Sequence, residues 1–278
     1  MITSKMYLPS TVLQDWIKVF WFMESDFNDT IQSRLILPDG CATILFILKG
    51  NMLVEEYNST VSKGIYVVPP ISKFHKTHVS KDSCIIDIQL KPGVFTKLFN
   101  IPVEKLELKF YDIKELSLNF DHSIIEQLFS CLNNKYLMIK LLNNYFTELF
   151  YRKDFQKDDL LIGLSDLYNK GNLDNFFYEQ KLSIRQIQRK VKELTGLSPK
   201  EISKIARFYN VLTEYRYNSE NMKFAQIAQK NNYTDQSHFI KEFKSFTSKT
   251  PKSFLSEAEK YAQFIGLSKI NNSLLHTI

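Results

Sequence analysis

The segment Ile187–Ile202 (IQRKVKELTGLSPKEI) recurs 52 residues later as Phe239–Phe254 (FIKEFKSFTSKTPKSF). Lys192 falls on Lys244, Thr195 on Thr247, Pro199 on Pro251 and Lys200 on Lys252. Apolar residues coincide at Ile187/Phe239, Val191/Phe243, Leu194/Phe246 and Ile202/Phe254. The chain must therefore build one small unit twice, each copy a short basic helix followed by a turn that a proline marks.

At about 100° per residue, Ile184, Ile187, Val191 and Leu194 gather on one side of the first helix. Arg185, Arg189 and Lys192 point to the other side, with Gln188 at its edge. In the second helix Phe239, Phe243 and Phe246 face inward. Ser237, Lys241 and Lys244 face outward, and His238 lies on the flank. Taken singly, each is a surface helix with solvated lysines. The preceding residues change that reading. Leu173, Phe176 and Phe177 before the first helix, and Ile227 and Ala228 before the second, can form short support helices. Between support and basic helix lie QKLS (180–183) and NNYTD (231–235), each with an apolar plug, Leu182 or Tyr233. Each also has an N-cap candidate, Ser183 in one and Thr234 or Asp235 in the other. This is the layout of a helix-turn-helix. A long helix from Pro199 to about Arg216, with Ile202, Ile205, Ala206, Tyr209 and Leu212 at helical spacing, can hold the two units apart. Both basic helices could then enter successive major grooves, about 34 Å apart.

The charge map agrees. Residues 1–159 hold 18 Lys and Arg against 19 Asp and Glu, whereas residues 160–258 hold 16 against 10. Nearly all the net charge of +6 sits on the repeat, as a polyanion binder requires. No apolar run reaches the roughly 18–20 residues of a membrane span, and MITSKMYLPS lacks an apolar signal core. Three distant cysteines, Cys41, Cys84 and Cys131, fit a reducing compartment, so a cytoplasmic protein is expected.

The first 110 residues have strand character at Val19–Met23, Ala42–Leu48, Gly64–Val68 and Cys84–Leu90, with turns at Pro38-Asp39-Gly40, Lys49-Gly50-Asn51 and Pro69-Pro70. Ile86, Ile88 and Leu90 alternate with Asp87 and Gln89, as a strand with one buried face does. A compact antiparallel barrel or sandwich is expected, with a mouth able to hold a small ligand. From about residue 93 the pattern is helical. Ile124, Ile125, Leu128, Phe129, Leu141, Leu142, Tyr145, Phe146 and Leu149 form a wide stripe for packing on the barrel or for a homodimer through residues 123–151. Arg152–Asp159 (RKDFQKDD) is polar and reads as a linker.

Catalytic and metal chemistry is not indicated. His75 and His78 would point to opposite sides of a strand and read as surface histidines. No cysteine pair has zinc spacing, and no phosphate loop or nucleophile–base pair stands out. Phe20, Trp21, Phe22, Phe46 and Tyr66 read as core. No enzyme, cofactor or metal is expected.

The run Tyr233–Lys244 (YTDQSHFIKEFK) followed by Thr250-Pro251 resembles the second helix-turn-helix of the AraC/XylS family of bacterial transcription regulators. Ile187-Gln188-Arg189 through Thr195-Gly196-Leu197-Ser198-Pro199 resembles the first. The resemblance covers about 85 residues and implies a seven-helix DNA-binding domain that usually activates transcription. By motif position it implies base contacts from Arg185, Gln188 and Arg189, and from Gln236, Ser237, His238 and Lys241; the outward-facing Lys192 and Lys244 join this DNA-binding set from the helical indexing. Where the family has glycine this chain has Lys181, Asn232 and Ser248; Lys tolerates a left-handed backbone poorly, so the first turn is expected to be the distorted one. Leu37-Pro38-Asp39-Gly40 and Lys91-Pro92-Gly93 resemble the sensor domain of one branch of the family.

The expected fold is α+β: a β-rich, barrel or cupin-like sensor and dimerisation domain over residues 1–152, with helices from about 93, then a linker over 153–159. An all-α double helix-turn-helix domain over 160–258 and a tail over 259–278 complete it. The expected function is a sequence-specific regulator of transcription. Its expected partners are double-stranded DNA, RNA polymerase if it activates, and a small effector. The alternatives are a ligand-binding or catalytic barrel with a vestigial DNA domain, and a DNA binder indifferent to sequence.

Overall fold

The computed structural model of the chain describes residues 3–26, 32–118, 120–156, 158–218, 224–231 and 233–257. The expected tail over 259–278 lies outside these residues. The strands are β1 (Thr3–Tyr7), β2 (Ile17–Glu24), β3 (Gln32–Ile36), β4 (Ala42–Lys49), β5 (Met52–Val54), β6 (Ser59–Val61), β7 (Gly64–Val68), β8 (His75–Val79), β9 (Cys84–Leu90) and β10 (Tyr111–Asp112). All pair antiparallel, in one sheet of order β1-β2-β9-β4-β7-β10 and another of order β3-β8-β5-β6. The described strands thus form two facing sheets, the sandwich of the two forms expected, and not a closed barrel. Closure needs long strands at both edges, and here β10 has two residues and β6 has three.

Alternation along the central strands divides their side chains between two cores. Phe20, Phe22, Ile44, Phe46, Ile86 and Ile88 face the helices α1 (Val94–Phe99), α2 (Ser123–Ser130) and α3 (Lys135–Arg152). Trp21, Met23, Leu45, Ile47 and Ile85 face the second sheet, where they meet Met52, Val54 and Val79. Ile124, Leu128, Leu142, Phe146 and Leu149 pack on the first sheet, whereas Phe129 of the same stripe is exposed.

The solvent face inferred for Asp87 and Gln89 does not exist. All seven residues of β9 are buried, because the second sheet covers the polar side of the strand. His75 is likewise buried, while His78 on the opposite side of β8 meets Glu55 at the surface. The expectation of two surface histidines therefore fails for His75.

The helical part comprises α4 (Asp159–Lys170), α5 (Leu173–Glu179), α6 (Ile184–Thr195), α7 (Pro199–Asn218), α8 (Phe224–Lys230), α9 (Gln236–Thr247) and α10 (Pro251–Leu255). One core runs through all of it, centred on Ile202, Ile205, Phe208 and Leu212 of α7. The N-terminal part docks onto this core through two short segments, residues 37–40 and 91–93. Leu37 is buried in the helical core, and a side chain on Gly40 would sit 3.5 Å from Ile205. At Gly93, φ is +84° and a Cβ would come within 2.8 Å of Leu161, so glycine is needed for conformation and for close approach. The Thr96 hydroxyl donates to the Leu194 carbonyl at 2.8 Å and accepts from the Val103 amide at 3.2 Å. Phe155, in the polar stretch read as a linker, packs edge-on against Trp16 with ring centroids 4.8 Å apart.

Candidate nucleic-acid interface

The 52-residue translation found in the sequence reappears atom by atom. Both α6 and α9 have 12 residues. Ser183 caps α6 through a capping box with Gln186, and Asp235 caps α9 by accepting from the His238 amide at 2.8 Å. At the other end the Thr195 hydroxyl donates to the Val191 carbonyl at 2.7 Å and accepts from the Leu197 amide at 3.1 Å. Thr247 does the same with Phe243 at 2.9 Å and Lys249 at 3.2 Å. Each helix stops at a left-handed residue, Gly196 (φ 71°) or Ser248 (φ 56°). Each is followed by a helix that begins with proline, Pro199 or Pro251.

Burial divides the helices as their periodicity requires. Ile187, Val191 and Leu194, and Phe239, Phe243 and Phe246, are buried. Arg185, Gln188, Arg189 and Lys192 are exposed on α6, and Gln236, Ser237, His238, Lys241 and Lys244 are exposed on α9. Ile184 departs from expectation. Assigned to the inner face, it is 58 % exposed, because as the first residue of α6 it lies past the end of the packed stripe. Lys181 does not adopt a left-handed backbone, and Asn232 lies outside the described residues.

One residue of this region went unnoticed in the sequence. Glu242 is 5 % exposed and binds Arg207 of α7 with both carboxylate oxygens, at 3.1 and 2.9 Å. The guanidinium also lies 5.1 Å from the centre of the Tyr233 ring, the plug of the second turn. Burial pushes the Tyr233 hydroxyl up, and the nearby Glu242 adds to the effect. His238 Nε2 is 3.9 Å from the same carboxylate. The signal was present, since Glu242 is the i+3 member of the Phe239, Phe243, Phe246 stripe.

A second polar site lies between the two sheets. The cavity there is small, about 60 Å³, and Asp39, Cys41, Thr43, His75, Asp87 and Gln89 are among its lining residues. Burial, then the neighbouring Asp39, push the Asp87 carboxyl up to about 7, against the opposing effects of Thr43, Gln89 and Lys18. Burial likewise keeps His75 below its ordinary value, although Glu56 pulls the other way. Among the described residues no group of three or more His, Cys, Asp or Glu side chains could hold a metal ion.

Two capped recognition helices on one connecting helix define a double helix-turn-helix domain, the architecture of a DNA-binding transcription regulator. Residues 179–257 match the family described as "Helix-turn-helix domain", and residues 5–110 match the "Domain of unknown function (DUF6597)". The chain thus carries an AraC-type helix-turn-helix domain behind a β-rich domain, in keeping with the AraC/XylS family of regulators. No curated protein matches it in sequence. Among solved structures it is similar to ToxT from Vibrio cholerae, with 15 % identity over 85 % of this chain and 96 % of that one and a TM-score of 0.44. A fatty-acid-bound form of ToxT from the same organism gives 15 % identity over 85 % and 93 %, with a TM-score of 0.40. The AraC-like transcriptional activator CuxR gives 9 % identity over 91 % and 82 %, with a TM-score of 0.33. Among the described residues no helix is long and apolar enough to cross a membrane.

Proposed function

We propose that this protein is a cytoplasmic, effector-controlled transcription activator that reads two successive major grooves of double-stranded DNA. In this reading residues 1–152 sense the effector, 153–159 connect, and 160–258 bind DNA. Arg185, Gln188 and Arg189 of α6, and Gln236, Ser237, His238 and Lys241 of α9, face base edges, while Lys192 and Lys244 hold phosphates. The observation that carries it is the pairing of two helices capped at matching positions, each buried on one side and polar or cationic on the other. Activation brings RNA polymerase in as a partner. A homodimer contact would use the exposed Phe129, Tyr136 and Leu137 of α2 and α3.

Binding titrations test the reading directly. Arg189→Ala is expected to cost about 1–3 kcal/mol at a selected genomic site and little on random DNA. Equal losses on both would remove Arg189 as a base reader. Affinity is also expected to fall steeply between low and moderate salt, and a flat response would contradict phosphate anchoring.

A further inference from the structure

The cavity between the sheets is wrongly equipped for an anionic ligand and well equipped for a cation. Asp87 Oδ1 and Gln89 Oε1 are buried acceptors with no hydrogen-bond partner. Their residues are 7 % and 3 % exposed, and both line the cavity. His75 Nδ1 also lacks hydrogen-bond geometry, although it lies 3.4 Å from Glu56 Oε2. Unmet buried acceptors are costly, more so on a carboxylate, and a bound donor relieves the cost. Among the described residues Asp87 also has no ion-pair partner of its own within the cavity. The cation acting on this region, Lys18, is engaged by Asp39 at 3.5 Å, and it lies 4.8 Å from the Tyr209 ring centre and 5.4 Å from that of Tyr168. Thr43, Thr77 and Cys41 also line the cavity, and the rest of the lining is apolar or aromatic, including Leu45, Met52, Val54, Tyr57 and Phe110.

The same wall that bounds the cavity touches the DNA-binding domain. Asp39 accepts the Cys41 amide at 3.0 Å and pairs with Lys18. The Cys41 thiol lies 3.5 Å from the Tyr168 hydroxyl of α4, and Gly40 between them lies against Leu197 and Ile205. Burial, then Asp39, push that thiol up to about 12, so it stays neutral. Across the joint the buried Tyr209 hydroxyl of α7 has no partner, and α7 is the helix that spaces the two recognition units. A new positive charge beside Asp87 would compete with Lys18 for Asp39, whose pairing holds Lys18 over two tyrosines of the DNA-binding domain.

We propose that the cavity binds a small organic cation, an ammonium or amidinium group on an apolar body, donating to Asp87 and Gln89, and that Asp39, Lys18 and Cys41 pass its presence to Tyr168 and Tyr209. This rests on the effector-controlled reading above and names the ligand class. It is tested on the full chain at pH 8 with phenethylamine and benzamidine as cations, 2-phenylethanol as the neutral match, and phenylacetate and palmitoleate as anions. Calorimetry reads binding, and a fluorescent operator fragment reads DNA affinity. The cations are expected to bind more than tenfold tighter than the alcohol, with no anion binding. Asp87→Asn is expected to lose at least tenfold of cation affinity while keeping its circular dichroism spectrum. Lys18→Met is expected to keep cation binding and lose the cation-dependent change in DNA affinity. Binding of an anion with a change in DNA affinity would overturn the ligand class and leave effector control standing. No binding by any probe, with unaltered DNA affinity, would overturn the proposal. Unchanged cation affinity in Asp87→Asn would remove the cavity as the site.

Discussion

The two helix-turn-helix units share one internal geometry and differ in what holds them. In the first, α6 is gripped from outside: Leu194 accepts from Thr96, and Gly196 lies against Val103, both in the β-rich domain's trailing segment. In the second, α9 is gripped from inside its own domain by Glu242 and Arg207. Position 242 corresponds to Lys190 in the first copy, and Lys190 is exposed. A duplicated unit can therefore keep its caps and core while one copy exchanges a solvated lysine for a buried ion pair and the other acquires a neighbouring domain. The first unit is thus placed to respond to the N-terminal domain and the second to stay fixed.

The largest expected effect breaks the internal grip. Glu242→Ala leaves the half-buried Arg207 without its partner and is expected to destabilise the helical domain by about 3 kcal/mol or more in denaturant unfolding. Lys190→Ala, at the matching position, is expected to change stability by less than about 0.5 kcal/mol. Similar losses in both would erase the distinction between the units.

A second effect lies in the domain that holds the first unit. Asp87, with its carboxyl at about 7, keeps its proton in the folded chain well above the ordinary 3.8. The folded state then binds the extra proton between these values, so this group lowers stability as pH rises from 3.8 to about 7 and the cost persists above. Asp87→Asn is expected to stabilise the ligand-free protein by about 2–4 kcal/mol at pH 8 and by almost nothing below pH 4, measured by chemical denaturation. A gain independent of pH would contradict the buried charge.

The external grip is weaker. Thr96→Val removes the donor to Leu194 and the acceptor for Val103 and is expected to cost about 1–2 kcal/mol. Hydrogen exchange should quicken at residues 194–197 and stay unchanged at the matching residues 246–249. Equal quickening in both would show that the units are not held separately. Smallest is the C-cap pair. Ser248→Gly is expected to stabilise by about 0.5–1 kcal/mol and Gly196→Ser to destabilise by about as much, since each residue sits in a left-handed backbone.

How far the sequence could be read followed the range of the interactions. Helix faces, caps and the 52-residue register rest on contacts within a few residues, and they came through. Ile184 failed because periodicity says nothing of where a packed stripe ends. Asp87 and Gln89 looked solvated because alternation along β9 shows two faces without showing that a second sheet covers one. Pro38-Asp39-Gly40 shows only its local turn residues in the sequence; the burial of residues 37–40 and 91–93 against Leu161, Leu197 and Ile205 depends on long-range docking that no local pattern records. The choice between barrel and sandwich stayed open for the same reason, being decided by which edge strands find partners.

The most direct measurement is a hydroxyl-radical footprint of the full chain on a selected genomic site. The expected result is two protected patches on one face of the duplex, separated by about one helical turn, the patch under α6 lost in Arg189→Ala and the other retained. A single patch, or uniform protection along the fragment, would contradict a protein that reads DNA with two recognition helices.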